Sequence, residues 1–145
     1  MGGRLRPDAG KEVILVDTSV WIDYFKGTEN NYTTALDNAL AEGLVLLGDL
    51  IYLEILQGFR SDSDFKIAKA SLQALDHVEL FGLDMVLKCA ENYRKLRKSG
   101  ITIRKSSDVI IASYCMDKKL PLLFQDRDFK PFVEHQNLIP ALEET

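Results

Sequence analysis

Two acidic residues follow short apolar runs in this sequence, and their position makes them candidates for metal or phosphate chemistry. Asp17 comes directly after the run at 13–16, and Asp126 follows the run at 121–124, with Asp128 two residues later. Ligands of open parallel sheets gather beyond the carboxyl ends of the strands, so these carboxylates are predicted to share one edge. Helix capping is the alternative role, because an aspartate before a helix accepts hydrogen bonds from its first backbone N–H groups.

Two further carboxylates lie within strongly apolar helical patterns. Glu54 interrupts an apolar stretch at 50–56, and Asp108 precedes four apolar residues at 109–112. A buried carboxylate costs free energy unless a cation or a hydrogen-bond donor pairs with it. Each also has an ordinary explanation, since Glu54 would be stable facing water. The helix dipole would stabilise Asp108 in a first turn.

The converging carboxylates need a counter-charge, because they cannot all stay ionised at one edge without it. Oxygen ligands without His or Cys at metal-ligand spacing favour Mg²⁺, or Mn²⁺ as a substitute, over zinc. His77 and His135 lie in turn-like or terminal segments and are predicted to be surface residues. Such a site typically acts on phosphate esters, because the metal lowers the pKa of a bound water and neutralises phosphate oxygens.

The elements that must position these residues alternate between short apolar runs and helical patterns, which predicts an α/β fold. Strands are predicted over 13–16, 44–47, 78–81 and 121–124, with 138–139 as an edge strand. Helices are predicted over 18–27, 33–42, 50–59, 64–75, 84–98, 108–118 and 128–134, with Ser106 or Ser107 capping the sixth. We expect a central, mostly parallel sheet of four to five short strands with helices on both faces.

Length and composition indicate one globular domain, with 145 residues of which 46% are hydrophobic and 28% charged. We expect an N-terminal extension over 1–12, a domain over 13–140 and a C-terminal tail over 141–145. No apolar stretch approaches the roughly 18 residues of a membrane span, and the N-terminal segment does not resemble a signal peptide. Cys89 and Cys115 lie in apolar helical patterns, which is typical of reduced core cysteines in a cytoplasmic protein.

The net charge of −4 argues against binding nucleic acid through bulk positive charge, but its distribution is uneven. The basic segment, residues 88–105, holds seven basic residues and one acid, and it leads directly to Asp108. It therefore predicts a phosphate-attracting surface beside the acidic site, although a solvated helix face is the alternative. The residues predicted to contact RNA are Arg97, Lys98, Arg104 and Lys105.

Four motifs together resemble those of a PIN domain, and more closely those of the VapC toxins of bacterial type II toxin–antitoxin systems. They are Val16-Asp-Thr-Ser-Val-Trp-Ile22, Tyr52-Leu-Glu-Ile-Leu-Gln-Gly58, Ser107-Asp-Val-Ile-Ile-Ala112 and Gln125-Asp-Arg-Asp-Phe129. The resemblance covers nearly the whole chain from residue 13 to about residue 138. It implies a PIN-like fold and a Mg²⁺-dependent endoribonuclease acting on structured RNA such as tRNA or rRNA. It also implies a homodimer and inhibition by a cognate VapB-type antitoxin.

Matching the motifs assigns roles to individual residues. The resemblance makes the catalytic quartet Asp17, Glu54, Asp108 and Asp126, with Asp128 near the site. Asp17, Asp108 and Asp126 would hold the metal, directly or through water, while Glu54 would ligate or orient the water.

Smaller features of the motifs carry further expectations. Thr18 or Ser19 matches the small hydroxyl residue that supports the first acid. Gln125, preceded by Phe124, departs from the polar residue and Asn found in many relatives, which puts a supporting hydrogen bond near Asp126 in doubt. The aromatic residues of the first helix, together with the helix at 50–59, are expected to form an apolar groove for an antitoxin segment.

Two other classes of protein remain as alternatives. A phosphoacceptor domain would take a phosphoryl group on Asp17, but the phosphatase pattern needs a second Asp where this chain has Ser19. A receiver domain needs paired acids after its first strand, which the sequence lacks. In a non-catalytic α/β binding module, the acids would be helix caps and the protein would only pair with a partner.

Overall fold

The structure is a computed structural model, and it describes residues 12–143 of the chain. Within that range the chain forms four strands and seven α-helices. The strands are β1 Ile14–Val16, β2 Val45–Gly48, β3 Asp76–Val78 and β4 Leu122–Leu123. The helices are α1 Thr18–Lys26, α2 Asn31–Ala41, α3 Asp49–Gln57, α4 Asp62–Gln73, α5 Leu83–Lys98, α6 Ser106–Lys118 and α7 Lys130–Gln136. The expected extension over 1–12 lies outside the described residues except for residue 12.

The strands form one sheet in the order β3-β2-β1-β4, and every neighbouring pair is parallel. Leu15 of the central strand β1 aligns with Leu46 on one side and with Leu122 on the other. All three residues of β1 are buried, as expected for a strand covered on both faces. The predicted α/β class and parallel sheet are therefore confirmed, with four strands among the described residues.

Parallel pairing brings the carboxyl ends of the strands to one edge, and three connections there are very short. Asp17 alone separates β1 from α1, and β2 runs straight into α3. After β4, a 3-10 turn at Arg127–Phe129 begins behind Asp126 and leads into α7. The side chains at these connections are thus held by rigid elements on both sides.

The core is built on β1 and the helices packed around it. Its largest fully buried side chains include Trp21 of α1, Phe129 of the 3-10 turn and Phe132 of α7. Cys89 and Cys115 are both free and buried, as predicted. Within residues 12–143, no helix has both the length and the apolar character that a membrane crossing requires.

The third strand differs from the prediction, because it forms at Asp76–Val78 and not over 78–81. β3 is an edge strand with an open side, so the polar residues Asp76 and His77 are tolerated there. Leu80 lies beyond the strand and is fully buried against Gly48. Its backbone N–H donates to Asp49 Oδ1 at 3.0 Å, which ends the ladder before residue 81.

Two smaller predictions were also wrong. Lys105, and neither Ser106 nor Ser107, is the N-cap of α6, and no side chain caps that helix. The segment at 138–139 forms no regular strand: Ile139 O accepts a hydrogen bond from the Leu122 backbone N–H at 2.9 Å, and Leu122 forms an isolated parallel bridge with Pro140. The backbone N–H of Ala141, a buried residue, donates to Leu122 O at 2.9 Å, so the packed part of the chain reaches at least that residue.

Candidate active site

Asp17 lies at the carboxyl end of β1 and caps α1. Its Oδ2 accepts hydrogen bonds from the Ser19 hydroxyl at 2.8 Å and from the Ser19 backbone N–H at 3.4 Å. Only 4% of Asp17 is exposed, and this burial raises its pKa to about 6 although the hydrogen bonds favour the ionised form. The nearby charge of Asp126 raises the pKa further. A cation at this edge would therefore stabilise Asp17 as a carboxylate.

Asp108 lies in the first turn of α6 and is also buried, with 3% of its surface exposed. Burial raises its pKa to about 7, and the carboxylates of Asp17, Asp126 and Asp128 add to that effect, while Lys105 opposes it. The buried Oδ2 of Asp108 has no hydrogen-bond partner among the described residues. A buried carboxylate oxygen without a donor is costly, and a metal ion would compensate for it.

Asp126 and Asp128 occupy the turn after β4. Asp126 Oδ1 accepts a hydrogen bond from the Asp128 backbone N–H at 2.9 Å, which caps the 3-10 turn. This turn faces the start of α6. The structure brings one carboxylate oxygen each from Asp108, Asp126 and Asp128 within 4.8 Å of one another. We call these three residues the acidic cluster.

The predicted metal set differs from this geometric group. Asp17 was expected to share the ion with Asp108 and Asp126, whereas the closest grouping of described residues contains Asp128 in its place. Asp17 still lies close enough to raise the pKa of Asp108 by charge repulsion. All-oxygen donors of this kind fit Mg²⁺ or Mn²⁺ and not zinc.

Glu54 reaches the site from α3 through a hydrogen bond with Thr18. The Thr18 hydroxyl donates to Glu54 Oε1 at 2.6 Å, so this carboxylate is held against the start of α1. Thr18 and Ser19 were predicted as alternative supports for Asp17. In the structure Ser19 supports Asp17 and Thr18 supports Glu54.

Two basic residues just before α6 contact the acidic cluster. Lys105 Nζ lies 3.6 Å from Asp108 Oδ2 and 3.5 Å from Asp126 Oδ2. Arg104 Nη2 donates to Asp128 Oδ2 at 3.2 Å. Sequence reasoning assigned both residues to RNA binding and missed these ion pairs. The spacing of three residues between Lys105 and Asp108 at a helix start was the available signal.

The other two residues predicted to contact RNA lie at the end of α5. Arg97 and Lys98 are both exposed, and the Arg97 guanidinium lies 5.6 Å from the centre of the Tyr93 ring. The structure gives neither residue an ion pair with the acidic cluster. Their side chains are therefore accessible to a phosphate backbone.

Gln125, where the motif departs from many relatives, joins the fourth motif to the first. Its Nε2 donates to Asp23 Oδ2 at 2.9 Å and to the Ser19 backbone carbonyl at 3.3 Å. The amide therefore fixes the end of β4 against α1, which holds Asp17 and Asp126 in register. The departure put in doubt a supporting hydrogen bond near Asp126, and the structure gives the Gln125 amide partners in α1 instead.

The two histidines lie outside this site. His77 stacks on Tyr52 with ring centres 5.4 Å apart, and its Nε2 lies 2.9 Å from Leu72 O. His135 lies on α7. Neither belongs to the acidic cluster, in agreement with a site made of carboxylates.

Three solved structures share this fold with the chain. The VapBC2 complex of Rickettsia felis bound to a promoter DNA fragment aligns with a TM-score of 0.71 and 16% identity, covering 88% of this chain and 96% of that chain. FitAcB of Neisseria gonorrhoeae aligns with a TM-score of 0.64 and 17% identity, covering 82% of this chain and 92% of that chain. A toxin–antitoxin complex of Klebsiella pneumoniae aligns with a TM-score of 0.59 and 18% identity, covering 90% of this chain and 99% of that chain. At these identities the likeness shows the fold alone.

Sequence comparison points to the same group of proteins. A VapC ribonuclease of Mycobacterium bovis and ribonuclease VapC11 of Mycobacterium tuberculosis are each 26% identical over 131 residues, covering 89% of this chain and 98% of the relative. Both names agree with the VapC resemblance of the motifs. The model of the PIN domain family matches residues 14–133, a range that contains every carboxylate described above. The chain belongs to the PIN domain family.

Proposed function

We propose that this protein is a metal-dependent endoribonuclease, the toxin of a VapBC-type toxin–antitoxin pair. The observation that carries the proposal is Asp108, which is buried, has an Oδ2 without a hydrogen-bond donor, and lies beside two other carboxylates. Ionised carboxylates this close together repel each other, so a nearby cation stabilises their charged forms. The VapC ribonucleases to which the chain is similar support the substrate class.

The proposed cofactor is Mg²⁺, with Mn²⁺ as a substitute, held by Asp17, Asp108 and Asp126 directly or through water. Asp128 joins this set because its carboxylate belongs to the acidic cluster. When bound, the ion would lower the pKa of a water molecule and neutralise the phosphate oxygens of the substrate.

The protein residues have separate tasks in the proposed reaction. Glu54, fixed by Thr18, orients the attacking water and accepts its proton. The water oxygen attacks phosphorus in line with the bond to the 3′ oxygen, and that bond breaks. The 3′ oxygen leaves and takes up a proton from solvent water, and Glu54 returns its proton to solvent, so the products are a 5′-phosphate and a 3′-hydroxyl. Asp17 and Asp108 remain ionised and fix the geometry.

RNA would approach across the basic segment that borders the acidic cluster. Arg97 and Lys98 are exposed on α5, and 79% of the Arg104 side chain is exposed although it pairs with Asp128. Contacts with phosphates position a nucleic acid without reading its sequence. We propose structured RNA such as tRNA or rRNA as the substrate.

The proposed inhibitor is a VapB-type antitoxin, and an apolar cavity between α1 and the α3–α4 region supports it. The cavity has a volume of about 580 Å³, and Phe25 and Phe59 in its wall are 5.7 Å apart between ring centres. Its lining also includes Ile22 and Ile55, with Arg60 among its charged residues. An amphipathic segment with apolar anchors and an acidic flank would fit this groove.

A homodimer and a cytoplasmic location complete the proposal. Four apolar side chains near the start of α5 form what we call the α5 patch: Phe81, Leu83, Val86 and Leu87, which are 46%, 93%, 40% and 71% exposed. Apolar surface of this kind favours association with a second copy. The two buried free thiols fit a reducing compartment.

The proposal is tested by sequencing RNA ends after induced expression of the wild type and of Asp17→Asn or Asp108→Asn. The wild type is expected to generate new 5′-phosphate ends. Each variant should reduce cleavage at least about a hundredfold while remaining folded, because an amide cannot replace an anionic ligand. Asp62→Asn, at an exposed position of α4, is the matched control and should cut like the wild type.

Two outcomes would contradict the proposal. Cleavage at the wild-type rate by either variant, or by purified protein in EDTA, would show that the reaction does not require a metal ion at this site. Labelling of Asp17 by acetyl phosphate would instead indicate a phosphoacceptor domain.

A further inference from the structure

Lys105 is placed between two carboxylates that come from different parts of the chain. Its backbone caps α6, and its side chain turns toward the acidic cluster, with Nζ 3.6 Å from Asp108 Oδ2 and 3.5 Å from Asp126 Oδ2. Its side chain is 54% exposed, so the ammonium group lies where the buried carboxylates open to solvent. Among the described ion pairs, the Lys105 ammonium group is therefore the cation nearest to both Asp108 and Asp126.

The ammonium group balances the cluster only in part. At 3.6 Å it forms an ion pair with Asp108 but no hydrogen bond, and the buried Oδ2 stays without a donor. Arg104 pairs with Asp128 and leaves Asp108 and Asp126 to Lys105. Lys105 and Arg104 thus place positive charge beside the acidic cluster, but neither donates a hydrogen bond to the buried Asp108 Oδ2.

A divalent cation would need the same carboxyl groups that Lys105 contacts. Two positive charges a few ångströms apart repel each other strongly in a half-buried site. Lysine has a flexible four-carbon stem, so its ammonium can withdraw at little conformational cost. Binding of the metal and of Lys105 at Asp108 and Asp126 must therefore compete.

We propose that Lys105 is the resident counter-ion of the acidic cluster, which stabilises the metal-free protein and weakens divalent-cation binding until it is displaced. The inference rests on the proposed function in one respect, that the cluster binds Mg²⁺. Lys105 is a positioning residue here, because it acts through the two carboxylates.

The experiment measures Mg²⁺ binding by calorimetry at pH 8, with protein freed of metal by EDTA and dialysis. Lys105→Met keeps the length of the side chain and removes its charge, and it is expected to bind Mg²⁺ about three- to tenfold more tightly than the wild type. Lys105→Arg keeps the charge, and its Mg²⁺ affinity should stay within about twofold of that of the wild type. Lys69→Met, at an exposed position of α4, removes one charge elsewhere and should also stay within about twofold.

Thermal unfolding gives a second measurement. Metal-free Lys105→Met should unfold at a lower temperature than the wild type, and saturating Mg²⁺ should remove that difference. If the wild type binds Mg²⁺ and Lys105→Met binds it equally or more weakly, the inference is wrong while the proposed function stands. If neither protein binds Mg²⁺, both are wrong. If only Lys105→Met binds it, the inference is supported in its strongest form.

Discussion

Asp17 and Asp126 each cap a helical segment, and the proposed function gives each of them a second task as a metal ligand. The sequence left capping and metal binding as alternatives for both residues, and the structure shows that both are caps while one carboxylate oxygen of Asp126 stays outside its cap. Asp126 caps with Oδ1 and turns Oδ2 toward Lys105. A carboxylate fixed by a backbone N–H is held in one orientation, as a metal ligand requires.

The position of each acid relative to its strand or helix could be predicted from the sequence, but its partners on distant elements could not. Asp17 and Asp126 were found because each follows an apolar run. The pairing of Lys105 with Asp126 joins residues 21 positions apart on different elements, and no local pattern encodes such a contact. The same holds for Thr18 and Glu54, which are 36 positions apart.

The raised pKa values predict an unusual pH dependence of stability in metal-free protein. In the folded protein the pKa of Asp17 is about 6 and that of Asp108 is about 7, against about 4 in an unfolded chain. Between these values the folded state holds protons that the unfolded state has released. The free energy of unfolding should therefore fall as the pH rises from about 4 to about 8.

Thermal denaturation in EDTA between pH 5 and pH 8 checks this prediction. Asp108→Asn should flatten the profile and be more stable than the wild type at pH 8, by on the order of 2 kcal/mol. Asp62→Asn should keep the wild-type slope. A profile for Asp108→Asn that parallels the wild type would show that Asp108 is ionised in both states.

The strands and helices follow the sequence pattern closely where an element is buried and loosely at the edge of the sheet. β1 was predicted almost to the residue, because a central strand must be apolar on both faces. β3 was misplaced, because the apolar residues that mark 78–81 include Leu80, which packs beneath the sheet edge and does not pair. The apolar pattern therefore indicated which residues are buried, whereas pairing with β2 determined which residues form the strand.

Gly48 allows β2 to run directly into α3, and its replacement should be destabilising. A Cβ at this position would lie 2.5 Å from Leu80 Cδ1, and Leu80 is fully buried and cannot withdraw. Gly48→Ala should lower the free energy of unfolding by about 1–3 kcal/mol.

Urea denaturation of Gly48→Ala, Leu80→Ala and the double variant measures this contact. The cost of Gly48→Ala should vanish when Leu80 is already Ala, because the clash has been removed. An undiminished cost in the double variant would mean that the backbone, and not Leu80, requires glycine.

For the molecule as a whole, net charge describes the surface poorly. The chain carries −4 overall, yet seven of its 18 basic residues lie in the basic segment, next to carboxylates that would be neutralised by a metal ion. The apolar surface is likewise uneven, since the α5 patch lies close to the edge strand β3 in sequence. Composition predicted one domain, whereas the uneven distribution of charge and apolar surface supports the faces proposed to bind partners.

The α5 patch makes a prediction about assembly. If it joins two copies, Leu87→Glu should convert a dimer into a monomer, because a buried charge at a two-fold interface is introduced twice. Sedimentation or light scattering measures the change in mass. Ile67→Glu on α4 is a matched control, since Ile67 is 67% exposed and Leu87 is 71% exposed, and it should leave the mass unchanged. A wild-type monomer, or a dimeric Leu87→Glu, would contradict the prediction.

The central position of β1 has a consequence for how the protein is made. β1 pairs with β4, and Gln125 reaches back across 106 residues to the Ser19 carbonyl. A nascent chain that has not yet reached Leu122 contains Asp17, Glu54 and Asp108 but lacks the residues that complete the acidic cluster. Because synthesis proceeds from the N-terminus, the site can assemble only after Asp126 and Asp128 have been made. Shorter nascent chains therefore hold three of the acids without a complete acidic cluster, and an RNA-cutting activity that depends on the cluster can arise only after β4 has been added.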